Sequence, residues 1–324
     1  MIIPKYWAEA HSVIKINGRN QTYRRFGWSN LSNEDAQLAA KNRVDEAVTL
    51  AQAGENVRRI DHKVAYNGAE GLPIREEVIR TFDEVVISRN SYGALCLNTP
   101  DVVFADIDII ENSFRTKLFP IYILLLLGAI FFGVSDGLTS VGFLTCTGTL
   151  MALFFLEMLY RFFSTLFLPS VEERALNKIR KFSKNNQDWR LRIYRTPHGY
   201  RVMVMHTCFG ANNEEVYRFF DAVGTDPYYV KMCRNQQCFR ARVSPKPWRM
   251  HMDRIASGSG VWPVKPERLK ARQQWVRQYE HEARKFSACA YIESIGSKHL
   301  DPTAERVRAI HDDYSQAGRS LPLA

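Results

Sequence analysis

The run LFPIYILLLLGAIFFGVS, residues 118–135, is followed after Asp136 by GLTSVGFLTCTGTLMALFFL, residues 137–156. Eighteen and then twenty uncharged residues stand between Lys117, Asp136 and Glu157. At a rise of about 1.5 Å per helical residue the first run is about 27 Å long, close to the hydrocarbon thickness of a bilayer. Val134-Ser135-Asp136-Gly137 has the chemistry of a tight connection. The pattern predicts a transmembrane helical hairpin over 117–168, with spans over about 118–135 and 138–158. Buried core helices are the alternative, but helices apolar on all sides need a much larger soluble body to hide them.

The flanks orient such a hairpin. Arg115 and Lys117 precede it, and Arg161, Arg174, Lys178, Arg180 and Lys181 follow the second run; basic flanks stay cytoplasmic. Both termini are therefore expected in the cytosol, at the cytoplasmic (inner) membrane, with membrane lipid as a partner. Gly128, Gly133, Gly142 and Gly148 let such helices pack closely, within one hairpin or with a second copy of the chain as a homo-oligomer. The opening MIIPKYWAEAHSV has neither the charged head nor the apolar core of a secretory signal. Six cysteines scattered without a framework spacing fit a reducing compartment.

Over the whole chain the composition is that of a folded globular protein: 46% hydrophobic, 12% aromatic and 24% charged, which excludes a disordered chain or a fibre. The net charge of +10 lies on one side. Residues 1–170 hold 16 basic and 18 acidic side chains, and residues 171–324 hold 28 and 16. A basic surface of this kind fits anionic headgroups or polyanions such as nucleotides and nucleic acid.

Element signals point to an α+β fold: small mixed or antiparallel sheets with flanking helices in an N-terminal part, 1–116, and a basic C-terminal part, 169–324. The two parts are able to share one sheet, with the apolar block as an insertion. Alternation around Asn17-Gly18 predicts a hairpin, and apolar spacing from 33 to 52 predicts a helix capped by Ser32. Residues 63–73 read as loop; 84–88, 92–97 and 102–109 read as a small meander. Beyond the block, helices are expected over 171–183, 213–223, 266–286 and 301–314, and strands over 189–195, 200–207, 238–243 and 288–295.

Three constellations carry chemistry. In Phe104-Ala105-Asp106-Ile107-Asp108, strand alternation puts Asp106 and Asp108 on one face about 7 Å apart, where two carboxylates can share Mg²⁺ or Mn²⁺. In Arg195-Thr196-Pro197-His198-Gly199-Tyr200-Arg201, a turn carries Arg195, Thr196, His198 and Arg201 as a candidate phosphate cradle. From Cys238 to Arg249, alternation puts Arg240 and Arg242 on one face, ending in Lys246, Trp248 and Arg249 as a phosphate or nucleic-acid track with an aromatic platform. For each, the plain structural alternative is a solvated strand end, an ordinary hairpin turn or a solvated basic face. Cys233 and Cys238 lack the matching second pair of a zinc site, and neither a P-loop, a dinucleotide fingerprint nor a nucleophile elbow occurs.

The order of these pieces resembles the archaeo-eukaryotic primase and primase-polymerase superfamily. Its members carry a D-x-D on one strand, a small-x-His element on a following strand and a basic strand that grips nucleotide phosphates. Asp106 and Asp108 resemble the first. Thr196 to Arg201 resembles the second, with Arg201 where the family's histidine is expected, and Phe239 to Pro247 is similar to the third. The resemblance implies metal-dependent phosphoryl or nucleotidyl transfer, although no further acidic residue matches the family's last metal ligand. Tyr23 to Ser29 together with Phe239 to Arg242 also resembles bacterial two-span membrane proteins, a likeness that carries no mechanism. The resulting expectation is a phosphate-rich ligand, nucleotide or nucleic acid, bound in a cytosol-facing domain. Its competitor is a non-enzymatic membrane-associated scaffold.

Overall fold

The computed structural model of the chain describes residues 3–61, 72–109, 123–124, 127–128, 131, 148–149, 151–152, 154–159, 162–163, 169–256 and 258–324. The chain divides into two units, one formed by Met1–Asp108 with Lys178–Ala324 and the other by Ile109–Asn177. The first unit carries the sheets.

It opens with a hairpin of β1 (Tyr6–Ile16) and β2 (Arg19–Ser29), paired antiparallel from Tyr6↔Ser29 to Ile16↔Arg19. Asn17 and Gly18 at its tip have φ of 49° and 77°, the left-handed pair that a two-residue turn needs to match strand twist. Helix α1 (Asn33–Gln52) starts where Ser32 accepts a hydrogen bond from the Asp35 N–H, and buries Ala36, Ala40, Val44, Ala47 and Ala51. Its small side chains let it approach β2 closely. A Cβ on Gly27 would stand 2.1 Å from the Ala40 nitrogen and 2.2 Å from the Ala36 oxygen, so only glycine fits there.

Two four-stranded antiparallel sheets follow. β3 (Glu77–Phe82), β4 (Val85–Arg89), β5 (Leu95–Thr99) and β6 (Phe104–Asp108) lie before the second unit in sequence. Helix α2 (Val171–Asn185), β7 (Arg190–Thr196), β8 (Gly199–Val204), helices α3 (Glu214–Val223) and α4 (Pro227–Gln236), β9 (Phe239–Arg242), helix α5 (Pro266–Ala283), β10 (Ala290–Gly296) and helix α6 (Pro302–Ser315) lie after its start. The sheet orders are β3-β4-β5-β9 and β10-β7-β8-β6. Each sheet therefore takes strands from both sides of residues 109–177, through β5 with β9 and β6 with β8.

Burial explains the strand assignments. β8 is buried along its whole length, as expected of a strand covered on both faces, and α3 covers apolar surface with Val216, Phe219, Phe220 and Val223. Asn213 caps α3, Gly224 ends it at φ 76°, and Asp226 caps α4 with Pro227 at the first helical position. The Asp226 N–H donates to the Asp106 carbonyl at 2.9 Å, which fixes the start of α4 against β6.

One expectation is corrected. The fold is α+β, but the transmembrane hairpin over 117–168 is not supported, because no helix among the described residues is long and apolar enough to cross a membrane. A span takes about 20 consecutive apolar residues in a single helix. The multi-pass placement in the inner membrane with two cytosolic termini rested on those spans and falls with them. Most of the runs 118–135 and 138–158 lies outside the described residues. Ser170, at the start of α2, accepts from the Glu173 N–H while Glu173 accepts from the Ser170 N–H, both at 3.0 Å. This reciprocal cap explains why α2 begins at Val171.

Replacing Gly27 with alanine is expected to destabilise the chain by about 2 kcal/mol or more through overpacking between α1 and β2. A denaturant midpoint equal to that of the native protein would show that α1 does not lie this close.

Candidate functional site

Strand β6 sets the site. Phe104, Ala105 and Ile107 are buried, which leaves Asp106 and Asp108 as the polar positions of the strand. Opposite Asp106 in the β6–β8 register stands Arg201. Its Nε and Nη2 donate to the two carboxylate oxygens of Asp106 at 2.7 and 3.1 Å, and its Nη1 donates to the Arg242 carbonyl on β9 at 2.8 Å. Arg201 is 2% exposed. Burial alone would weaken its charge, and the paired carboxylate of Asp106 outweighs that and raises its pKa.

A cavity of about 520 Å³ opens above this pair, within the usual range for small-molecule sites. Of the residues singled out from sequence, it brings together Asp106, Asp108, Thr196, His198, Arg201, Arg240, Arg242, Lys246 and Arg249. Arg195 and Trp248 are not part of its lining. Arg195 lies over the Tyr200 ring at 5.1 Å, and Trp248 is 40% exposed with Tyr92 against it at 5.2 Å.

The basic residues divide into two kinds. Arg240 is buried and donates to both carboxylate oxygens of Glu76, at 2.6 and 2.7 Å, and to Asn98 Oδ1 at 3.0 Å. Its charge is met from within the fold, so it is a wall of the cavity rather than a free phosphate grip. Arg242, Lys246 and Arg249 form no ion pair with any described acidic residue; Arg242 donates to the main-chain oxygens of Ser244 and Ala324. They act on one another instead. Burial, then Arg242 and Arg249, bring Lys246 down to about 8. Burial and Arg242 lower Arg249, while Arg249, burial and Lys246 lower His198.

The acids show the mirror image. Asp108 is raised by loss of solvent within the cavity and then by Asp106 and Asp226. Asp226 was not among the residues singled out from sequence, which showed no helix between 223 and 238; the main-chain hydrogen bond to Asp106 that brings it here leaves no mark in the sequence. Arg249, read from sequence as the end of the basic track, does line the cavity. Among the described residues, no group of three or more His, Cys, Asp or Glu side chains is placed to hold a metal ion by itself.

The comparisons with known proteins add no relative: no family model, curated protein or solved structure matches the chain.

Two expectations follow. Asp106→Asn strips the partner from a buried guanidinium and is expected to cost about 3 kcal/mol in a denaturation experiment, whereas Asp108→Asn leaves stability near that of the native protein. Equal midpoints for the two variants would contradict the division of roles. Lys246 has its free-protein pKa lowered to about 8. Anion affinity is therefore expected to be full well below pH 8 and to fall as pH rises through that value, a trend that Lys246→Met abolishes in phosphate titrations between pH 6.5 and 9.5.

Proposed function

We propose that the cavity binds a phosphate-rich ligand, a nucleotide or a nucleic-acid phosphate, together with Mg²⁺ or Mn²⁺. The observation that supports this reading is a set of like charges at one cavity, of which Arg242, Lys246 and Arg249 form no ion pair among the described residues. Burial, Arg242 and Arg249 lower the protonation of Lys246, burial and Arg242 lower that of Arg249, and at the same cavity loss of solvent, then Asp106 and Asp226, raise Asp108. A polyanion relieves the first repulsion and a divalent cation the second. Asp106 is engaged by Arg201, so Asp108 and Asp226 are the carboxylates that would hold the cation. Mg²⁺ suits such a site, because it typically binds through one or two carboxylates and completes its shell with water and ligand phosphates. When bound, it would supply charge neutralisation to the phosphates. Lys246 and Arg249 would orient the phosphates from the opposite side, an arrangement that fits phosphoryl or nucleotidyl transfer.

Calorimetric titration of the full chain with ATP, inorganic tripolyphosphate and short single-stranded DNA, with and without Mg²⁺, tests the proposal. Binding is expected to weaken steeply with salt. The Lys246→Ala/Arg249→Ala pair is expected to lose about tenfold or more in affinity, as when charged hydrogen bonds are removed. Asp108→Asn/Asp226→Asn is expected to abolish the gain from Mg²⁺; asparagine at 226 keeps the cap on α4. Absence of binding by all three anions would overturn the reading.

A further inference from the structure

Helix α6 buries His311, Ala304, Val307 and Ser315 against the sheet that carries Asp106. His311 is fully buried, with the Phe104 and Tyr194 rings against it at 5.3 and 4.7 Å. Its Nε2 lies 3.3 Å from Arg201 Nη1 and its Nδ1 lies 3.0 Å from Asp312 Oδ1. Arginine has no acceptor, so the contact requires His311 Nε2 to accept, and Nδ1–H then donates to Asp312. Asp312 is itself fixed by the Tyr194 hydroxyl at 2.7 Å, Arg192 at 2.8 Å and Arg308 at 3.1 Å.

Four of the five N–H groups of Arg201 are thereby assigned: two to Asp106, one to the Arg242 carbonyl and one to His311. A guanidinium held from three elements in a buried site does not swing away when a ligand arrives. Asp106 is therefore bound on both oxygens by a cation that belongs to the protein, as Glu76 is by Arg240, and of the four acids at the cavity two, Asp108 and Asp226, are left for a metal ion.

We infer that Arg201 is a resident cation that couples metal binding to ligand binding: by occupying Asp106 it leaves a two-carboxylate site, which captures a divalent ion only together with the phosphates of the ligand. The inference rests on the reading of the cavity as a phosphate and metal site. Arg201 acts here as a positioning and specificity residue, with His311 and the Arg242 carbonyl as its anchors. Coupling of this kind is reciprocal, so the metal must tighten the ligand by the same factor as the ligand tightens the metal.

The test titrates the full chain with Mn²⁺ alone, ATP alone and the two together. In the native protein, Mn²⁺ is expected to bind at least about tenfold more tightly when ATP is present. Arg201→Met returns Asp106 to the cavity and is expected to bind Mn²⁺ alone about tenfold more tightly than the native protein, with the coupling to ATP reduced. Because that variant leaves Asp106 without its partner, a second measurement needs only native protein. The Nε–H resonance of Arg201, assigned by its loss in Arg201→Lys, is expected to keep its position and its slow exchange with water when Mg²⁺ and ATP are added. Mn²⁺ binding that is equally tight with and without ATP overturns the inference while leaving the site itself intact. So does a resonance that loses protection on loading, since Asp106 would then have turned to the metal. Failure of the native protein to bind ATP with or without metal overturns the function proposed above, and this inference with it.

Discussion

The contact between Arg201 and Asp106 joins two strands, the edge of the neighbouring sheet and the C-terminal helix in a single constraint. Arg201 is buried on β8 and faces Asp106 in register on β6; it reaches the Arg242 carbonyl on β9 and His311 on α6. A buried cation is tolerable only where its charge is paired and its donors are satisfied. Asp106 and the three-sided anchoring meet both conditions. Because the pair spans the place where β6 approaches β9, Asp108 at the end of one strand and Lys246 beyond the end of the other open onto the same cavity.

A second pair repeats the principle. Arg240 on β9 is met by Glu76 and Asn98, and is as closed to solvent as Arg201. With these two arginines neutralised within the fold, three other cavity cations, Arg242, Lys246 and Arg249, form no ion pair with a described acidic residue. The same residue type thus serves two purposes a few positions apart on one strand. Arg240 stabilises the position of β9 by an internal ion pair, whereas Arg242, two residues later, adds unbalanced charge that lowers the protonation of Lys246 and Arg249.

Local patterns in the sequence were good guides wherever the structure is decided locally. The apolar spacing from 33 to 52 coincides with α1, the Asn17-Gly18 turn with the first hairpin, and the alternation around Pro197-His198-Gly199 with β7 and β8. Alternation also placed Asp106 and Asp108 at the polar positions of a buried strand. Contacts between distant segments were not legible. Glu76 lies 164 residues from Arg240 and just past a stretch that reads as loop, and the partner of Arg201 is 95 residues away, so neither arginine betrays in sequence whether its charge is already spoken for. Neither α4 nor the place of Asp226 at the cavity was read from sequence, because a main-chain hydrogen bond between distant segments carries Asp226 to Asp106. The two apolar runs were read by length and hydropathy alone, and the described residues contain no helix that meets both requirements of a span.

Why the cavity keeps its unbalanced charges follows from the pairs beneath it. Moving Arg242, Lys246 and Arg249 together would be unfavourable in any buried site, and the fold tolerates them because they remain half-buried at a cavity that water can enter. Acids at the same cavity do not cancel them. Asp108 moderates Lys246, but burial and the two arginines still hold that lysine at about 8, and loss of solvent, then Asp106 and Asp226, still raise Asp108. Segregation of the two signs is therefore maintained at a cost in the free protein. A fold that needed only stability would interleave them, as it does at Arg192, Asp312 and Arg308 on the far side of His311. The contrast between that balanced network and the divided cavity is the physical reason to look for the ligand here.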